Sequence, residues 1–139
     1  MSESLSLAFH AMVYIAREPD KFFHVKDIAK GIHGSVHHLA RVVIQLSRAG
    51  LIETRRGPKG GIKLKKPPEK ITLIDVHESI EGKVIKRACI IGRTTCRNKT
   101  CIFGDLYNSV RQDVKHYLSK TDLASLAKEC DFDDKNEEL

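Results

Sequence analysis

The chain has 139 residues, 41% hydrophobic and 30% charged, with a formal net charge of +6, a length that suits one domain or a small domain with an appended dimerisation element rather than two independent domains. No stretch approaches the roughly 18 apolar residues of a membrane helix, and the opening MSESLSLAFHAMVYIARE has neither the basic start nor the small-residue cleavage site of a secretory signal. A cytoplasmic protein with no membrane partner is expected. The charge is uneven: residues 1–70 carry 13 Lys/Arg against 6 Asp/Glu, whereas residues 71–139 carry 11 against 12. A basic front half points to a polyanion, because each cation that displaces a counterion from phosphate adds affinity.

In chain order, Leu5, Phe9, Met12, Val13 and Ala16 recur at helical period and predict a core-facing helix. Glu3, Ser6 and His10 share another face at spacings of three and four. Glu18-Pro19-Asp20 ends that helix. A short helix follows over about Val25 to Lys30, with Val25, Ile28 and Ala29 inward, and Gly31 to Gly34 supplies a tight turn. Ser35 is a good N-cap for the next helix, whose stripe is Val36, Leu39, Val43 and Leu46. Opposite the stripe lie His37, Arg41, Gln45 and Arg48, with His38 beside them, a face expected to consist of hydrogen-bond donors.

Leu51 to Arg56 reads as a strand and Ile62 to Lys65 as its partner, joined by the loop Gly57-Pro58-Lys59-Gly60-Gly61. This hairpin is a wing carrying Arg55, Arg56, Lys59, Lys63 and Lys65, closed by the stiff connector Pro67-Pro68. Thr72 and Asp75 resemble a capping box opening a helix to about Glu81, stopped by Gly82. After an irregular loop from Cys89 to Cys101, the spacing of Phe103, Leu106, Val110, Val114, Tyr117 and Leu118 predicts a long amphipathic helix. Such a helix at the end of a small domain needs a surface to pack on, and a second copy of the chain is the economical one. Thr121-Asp122 caps a last helix to about Lys128.

The expected fold is therefore mainly α with a small β-hairpin wing: a winged helix-turn-helix plus a long C-terminal dimerisation helix. Its expected divisions are a DNA-binding domain over residues 1–68, a connector helix, cysteine loop and dimerisation helix over 69–128, and an acidic, disordered tail over 129–139. A helix after such a turn fits the major groove, about 12 Å wide, where base edges are distinguishable. The expected DNA-binding residues are Ser35, His37, His38, Arg41 and Gln45 on that helix, with Arg55, Arg56 and Lys59 on the wing. Arg suits guanine edges and Gln adenine, Ser35 suits a phosphate, and the wing arginines suit the negative minor groove.

Four cysteines in a chain with no expected export signal argue against structural disulfides. Cys89, Cys96 and Cys101 cluster among Lys83, Lys86, Arg87, Arg93, Arg97 and Lys99, cations that favour thiolate over thiol. Thiolates suit iron–sulfur clusters or zinc, and the spacing C-x6-C-x4-C lacks the C-x2-C knuckle usual in structural zinc sites. An enzyme using Cys and His as nucleophile and base is not expected, because no glycine-rich phosphate loop or substrate-shaped motif accompanies them.

Leu46-Ser47-Arg48-Ala49-Gly50-Leu51-Ile52 and the wing from Arg56 to Leu64 resemble the bacterial winged-helix regulators typified by the iron–sulfur cluster regulator IscR and the nitric-oxide-sensing repressor NsrR. The N-terminal AFHAMVYIA, the three-cysteine loop and the Thr121 to Leu126 segment are similar too, so the resemblance covers nearly the whole chain. It implies a homodimeric repressor on a pseudo-palindromic double-stranded DNA operator, with a [2Fe-2S] or [4Fe-4S] cluster on Cys89, Cys96 and Cys101. Where part of that family places a fourth ligand, a histidine three residues past the last cysteine, this chain has Gly104, and where others use an acid on the first helix it has Ser6. His10, one turn on, is the leading fourth metal ligand by resemblance, with Glu3 behind it. A zinc site or a thiol–disulfide switch in the same loop is the alternative.

Overall fold

In a computed structural model, residues 2–82, 102, 103 and 105–132 are described. The elements are α1 (Glu3–Ala16), α2 (Val25–Gly31), α3 (Val36–Arg48), β1 (Ile52–Arg55), β2 (Gly61–Leu64), α4 (Leu73–Glu81), α5 (Leu106–Lys120) and α6 (Leu123–Glu129). This is the expected fold class, mainly helical with one antiparallel hairpin.

The first helix starts where the Ser2 hydroxyl accepts the Leu5 N–H at 3.2 Å, and it is buried on more sides than one stripe allows. Leu7, Ala8, Ala11 and Ile15 are buried alongside the expected Leu5, Met12, Val13 and Ala16, while Phe9 is only half-buried. The cause is tertiary: α1 packs against α2, α3, α4, α6 and β2 together, so it is apolar over most of its circumference and leaves only the Glu3, Ser6 and His10 side open. Among the described residues every fully buried side chain is apolar.

Ser35 caps α3 by accepting the His38 N–H at 3.3 Å. The buried face of α3 is Leu39, Val42, Val43 and Leu46. Val36, expected inside, is instead exposed, because the buried arc follows Leu39 and Leu46 and includes Val42. The turn between α2 and α3 places His33 at φ 55°, the left-handed region that few residues other than glycine adopt.

In the wing, Ile52 pairs with Leu64, Glu53 with Lys63, Thr54 with Ile62 and Arg55 with Gly61. Phe23 extends the ladder by exchanging two backbone bonds with Ile62, each 2.8 Å. Gly61 has φ +126°, and a Cβ there would strike the Phe23 carbonyl, so only glycine lets the segment before α2 lie this close to the hairpin. Asp75 accepts the Thr72 N–H at 3.0 Å, as expected for the start of α4.

Two backbone bonds, Leu73 N–H to the Thr121 carbonyl at 3.0 Å and Leu123 N–H to the Ile71 carbonyl at 2.9 Å, clamp the starts of α4 and α6 together. Leu118 and Leu123 are buried, but Leu106, Val110, Val114 and Tyr117 leave α5 with an exposed apolar face. Within the expected tail, Cys130 and Phe132 pack against the core: Phe132 meets Tyr14 edge to face at 5.3 Å, and the Arg17 guanidinium lies 4.9 Å over its ring. No helix among the described residues is long and apolar enough to cross a membrane.

Candidate nucleic-acid interface and sensor face

On α3, His37, Arg41, Gln45 and Arg48 are all exposed, and the helix contains no acidic residue. Four donor-bearing side chains thus share one solvent face. Ser35 sits at its head; its oxygen is engaged as the helix cap, which leaves the hydroxyl proton for an external acceptor. His38 points elsewhere. Its Nε2 lies 2.8 Å from the Ser4 hydroxyl and its Nδ1 3.5 Å from the Glu3 carboxylate, so it joins α3 to the start of α1. That face is also not made of donors alone, since Ala40 and Ile44 are exposed on it.

On the wing, Arg55 and Lys63 converge on Phe22, with the guanidinium 4.6 Å and the ammonium 5.2 Å from the ring centroid. The ladder explains the meeting. Phe23 pairs with Ile62, so Phe22 falls beside Lys63 on the outer face, and Gly61 leaves room for Arg55 to reach across. Lys63 is also 3.4 Å from Glu53. The His24 Nε2–H donates to the Pro58 carbonyl at 3.2 Å, tying the wing loop to the segment before α2. Arg56 and Lys59 are exposed. Phe22, His24 and Ile44 escape reasoning from charge and stripes, although the position of Ile44 on the helical wheel marks it as facing away from the core.

His10 is exposed on α1, and its Nδ1–H donates to the Ser6 carbonyl at 2.7 Å. A carbonyl only accepts, so the proton is fixed on Nδ1 and the Nε2 lone pair of the neutral ring faces outward, the arrangement usual in metal-ligating histidines. His10, Glu3 and Ser6 line a cleft of about 260 Å³ whose other wall is Ile32, His33, Gly34 and Ser35, the helix-turn-helix turn itself. Cys89, Cys96 and Cys101 lie outside the described residues, and among those described no group of three metal-binding side chains is assembled. Cys130 is a free thiol.

A helix pair with a tight turn, followed directly by an antiparallel hairpin and with a cationic exposed helix face, defines a winged helix-turn-helix regulator. Residues 1–129 match the Rrf2 family, described as iron-dependent transcriptional regulator, and the chain belongs to that family of transcriptional regulators, which are not enzymes. It is 37% identical over 92 residues to the regulator NsrR of Halalkalibacterium halodurans, covering 66% of this chain and 60% of that one. Among solved structures it is similar to CymR, the global cysteine regulator of B. subtilis, with a TM-score of 0.79, 26% identity and coverage of 94% and 98%. T. potens IscR gives a TM-score of 0.75 at 21% identity, covering 94% and 88%, a likeness of fold.

Proposed function

We propose that the chain is a homodimeric, cytoplasmic repressor that binds double-stranded operator DNA and whose affinity is set by an iron–sulfur cluster. The observation that carries the DNA reading is the acid-free exposed face of α3. In this reading His37, Arg41 and Gln45 meet base edges, Ser35 and Lys59 meet phosphates, and Arg55 and Arg56 reach the minor groove. His38 contributes by fixing the helix against α1. The exposed apolar face of α5 supports a second copy of the chain as partner, because an isologous pair of such helices covers both stripes at once.

For the sensor, the donor set fits an iron–sulfur group chemically: three thiolates from Cys89, Cys96 and Cys101, and the imidazole of His10 with its Nε2 free to bind. When bound, such a group would supply reactivity toward oxidants or nitric oxide. The chain's own residues do the rest. Ser6 holds the His10 tautomer, and the cleft places His10 against the turn that leads into α3. Similarity to the B. subtilis cysteine regulator supports a second reading without a cluster, in which the loop is a thiol–disulfide switch or a zinc site.

Anaerobically purified protein is expected to carry iron, acid-labile sulfide and visible charge-transfer absorption, with His10→Ala altering that spectrum. Metal-free protein with titratable thiols would select the switch, and zinc alone the zinc site. In gel-shift assays, Arg41→Ala with Arg56→Ala should abolish operator binding; unaltered binding would overturn the assignment of the reading surface.

A further inference from the structure

Ile44 is 52% exposed and sits within the exposed, acid-free face of α3. At about 100° per residue it projects from α3 on the side opposite Leu39 and Leu46, flanked by His37, Arg41 and Arg48. Ala40, one turn toward the N-terminus, is exposed on the same side. Half of this isoleucine stays open on the solvent face, the exposed Val36 continues the apolar line one turn before Ala40, and the donor set borders it. We propose that Ala40 and Ile44 form an apolar ridge that reads thymine C5-methyl groups in the major groove, making α3 selective for A·T pairs at the positions it covers. This rests on α3 being the recognition helix.

The occupant follows from chemistry on the page. The absence of any acidic side chain from α3, together with three flanking cationic or donor groups, makes the patch complementary to a polyanion and unsuited to a plain apolar partner. Within a major groove the thymine methyl is the one apolar feature that base edges present. Polar side chains alone would read hydrogen-bond patterns but would leave that methyl in contact with water.

The test uses full-length protein and a duplex selected with it from a randomised library. Each thymine of the duplex is replaced singly by deoxyuridine, which deletes the methyl and keeps the base pair. The wild-type protein is expected to lose about fourfold in affinity at one or more positions in each half-site, the worth of one buried methyl-sized group. Ile44→Ala should bind the thymine duplex more weakly and be indifferent to uracil at those positions. Indifference of the wild type to uracil at every thymine, with binding otherwise intact, overturns the proposal and leaves α3 as the recognition helix. Continued discrimination by Ile44→Ala shows that another group reads the methyl and also overturns it. Failure to select any duplex removes the DNA reading itself, and a change in the oligomeric state of Ile44→Ala without DNA reassigns the patch to subunit contact and overturns the proposal. The uracil scan on wild type needs no variant, so instability of Ile44→Ala would not shield the proposal.

Discussion

The exposed stripe on α5 is the sharpest place to test the dimer, and Val110→Asp is the perturbation. Leu106, Val110, Val114 and Tyr117 are 60%, 48%, 44% and 58% exposed, and they span about 16 Å of helix at 1.5 Å per residue. Fully burying a Val or Leu side chain is worth about 1.5–3 kcal/mol, so covering the half that remains open gives about 1 kcal/mol each. In a two-fold interface every residue acts twice. Val110→Asp therefore removes about 2 kcal/mol of contact and strands a carboxylate in each subunit at about 1–3 kcal/mol apiece. The sum, about 4–8 kcal/mol, raises the dimer dissociation constant by roughly a thousandfold or more. Sedimentation velocity at micromolar protein should show a dimer for wild type and a monomer for Val110→Asp, with helical circular dichroism retained. Gln112→Asp, about 200° around the helix, is the control and should remain dimeric. A monomeric wild type, or a Val110→Asp dimer of unchanged affinity, would refute the argument from the stripe.

The wing offers a coupling test. A cation over an aromatic face at an exposed site is worth about 0.5–1 kcal/mol, so Phe22→Leu should weaken operator binding about two- to fivefold in wild type and far less in Arg55→Ala; equal losses in both backgrounds, measured by fluorescence anisotropy, would mean that Phe22 does not position Arg55. Gly61→Ala forces a side chain at φ +126° against the Phe23 carbonyl, a strain of about 1–3 kcal/mol, and the thermal midpoint should fall by about 3–10 °C. Unchanged melting would show that the wing root is more plastic than its ladder implies. Ser35→Ala removes the cap of α3 at a loss of about 1 kcal/mol and one proposed neutral phosphate contact, so binding should weaken while the salt dependence, set by Lys and Arg, stays the same.

The sequence foretold the helix-turn-helix closely because its signals are local: the Gly31 to Gly34 turn, the Ser35 cap, and a stripe on α3 backed by charge. The wing was equally legible, since glycines and a proline between alternating segments leave few alternatives. Reading α1 as a one-sided helix was too narrow. Its burial by five neighbouring elements is a property of the packed domain, and period alone cannot report it. Val36 shows the same limit at smaller scale: a three-or-four spacing admits it to the stripe, but the true arc is fixed by which side of α3 meets α1 and α4. Phe22 and His24 belong to a segment without periodicity, so their hold on the wing emerges only once Phe23 has joined the ladder. Phe132 lies in the stretch expected as an acidic tail, and only the packed structure shows that Tyr14 and Arg17 provide it a seat.

The contacts of His38 bound how strongly the proposed sensor face can speak to the reading helix. Glu3 is 76% exposed on its side chain and lies 3.5 Å from His38, an arrangement worth at most about 1 kcal/mol. The Ser4 bond at 2.8 Å adds about 1 kcal/mol. Together they can couple α1 to the head of α3 by at most about 2 kcal/mol per subunit, or about 4 kcal/mol in a dimer that engages both half-sites, enough to supply the roughly 1–3 kcal/mol usual for allosteric coupling. A ligand on His10 need not unfold or rotate a domain to regulate binding at this level. It need only favour one placement of the Glu3 to His10 face against the turn that this face already lines. If Ser4→Ala with Glu3→Gln leaves the ratio of operator affinities between the metal-loaded and metal-free protein unchanged, the coupling must run instead through α4 and α5. If the ratio falls by about tenfold or more, the link through His38 is the route.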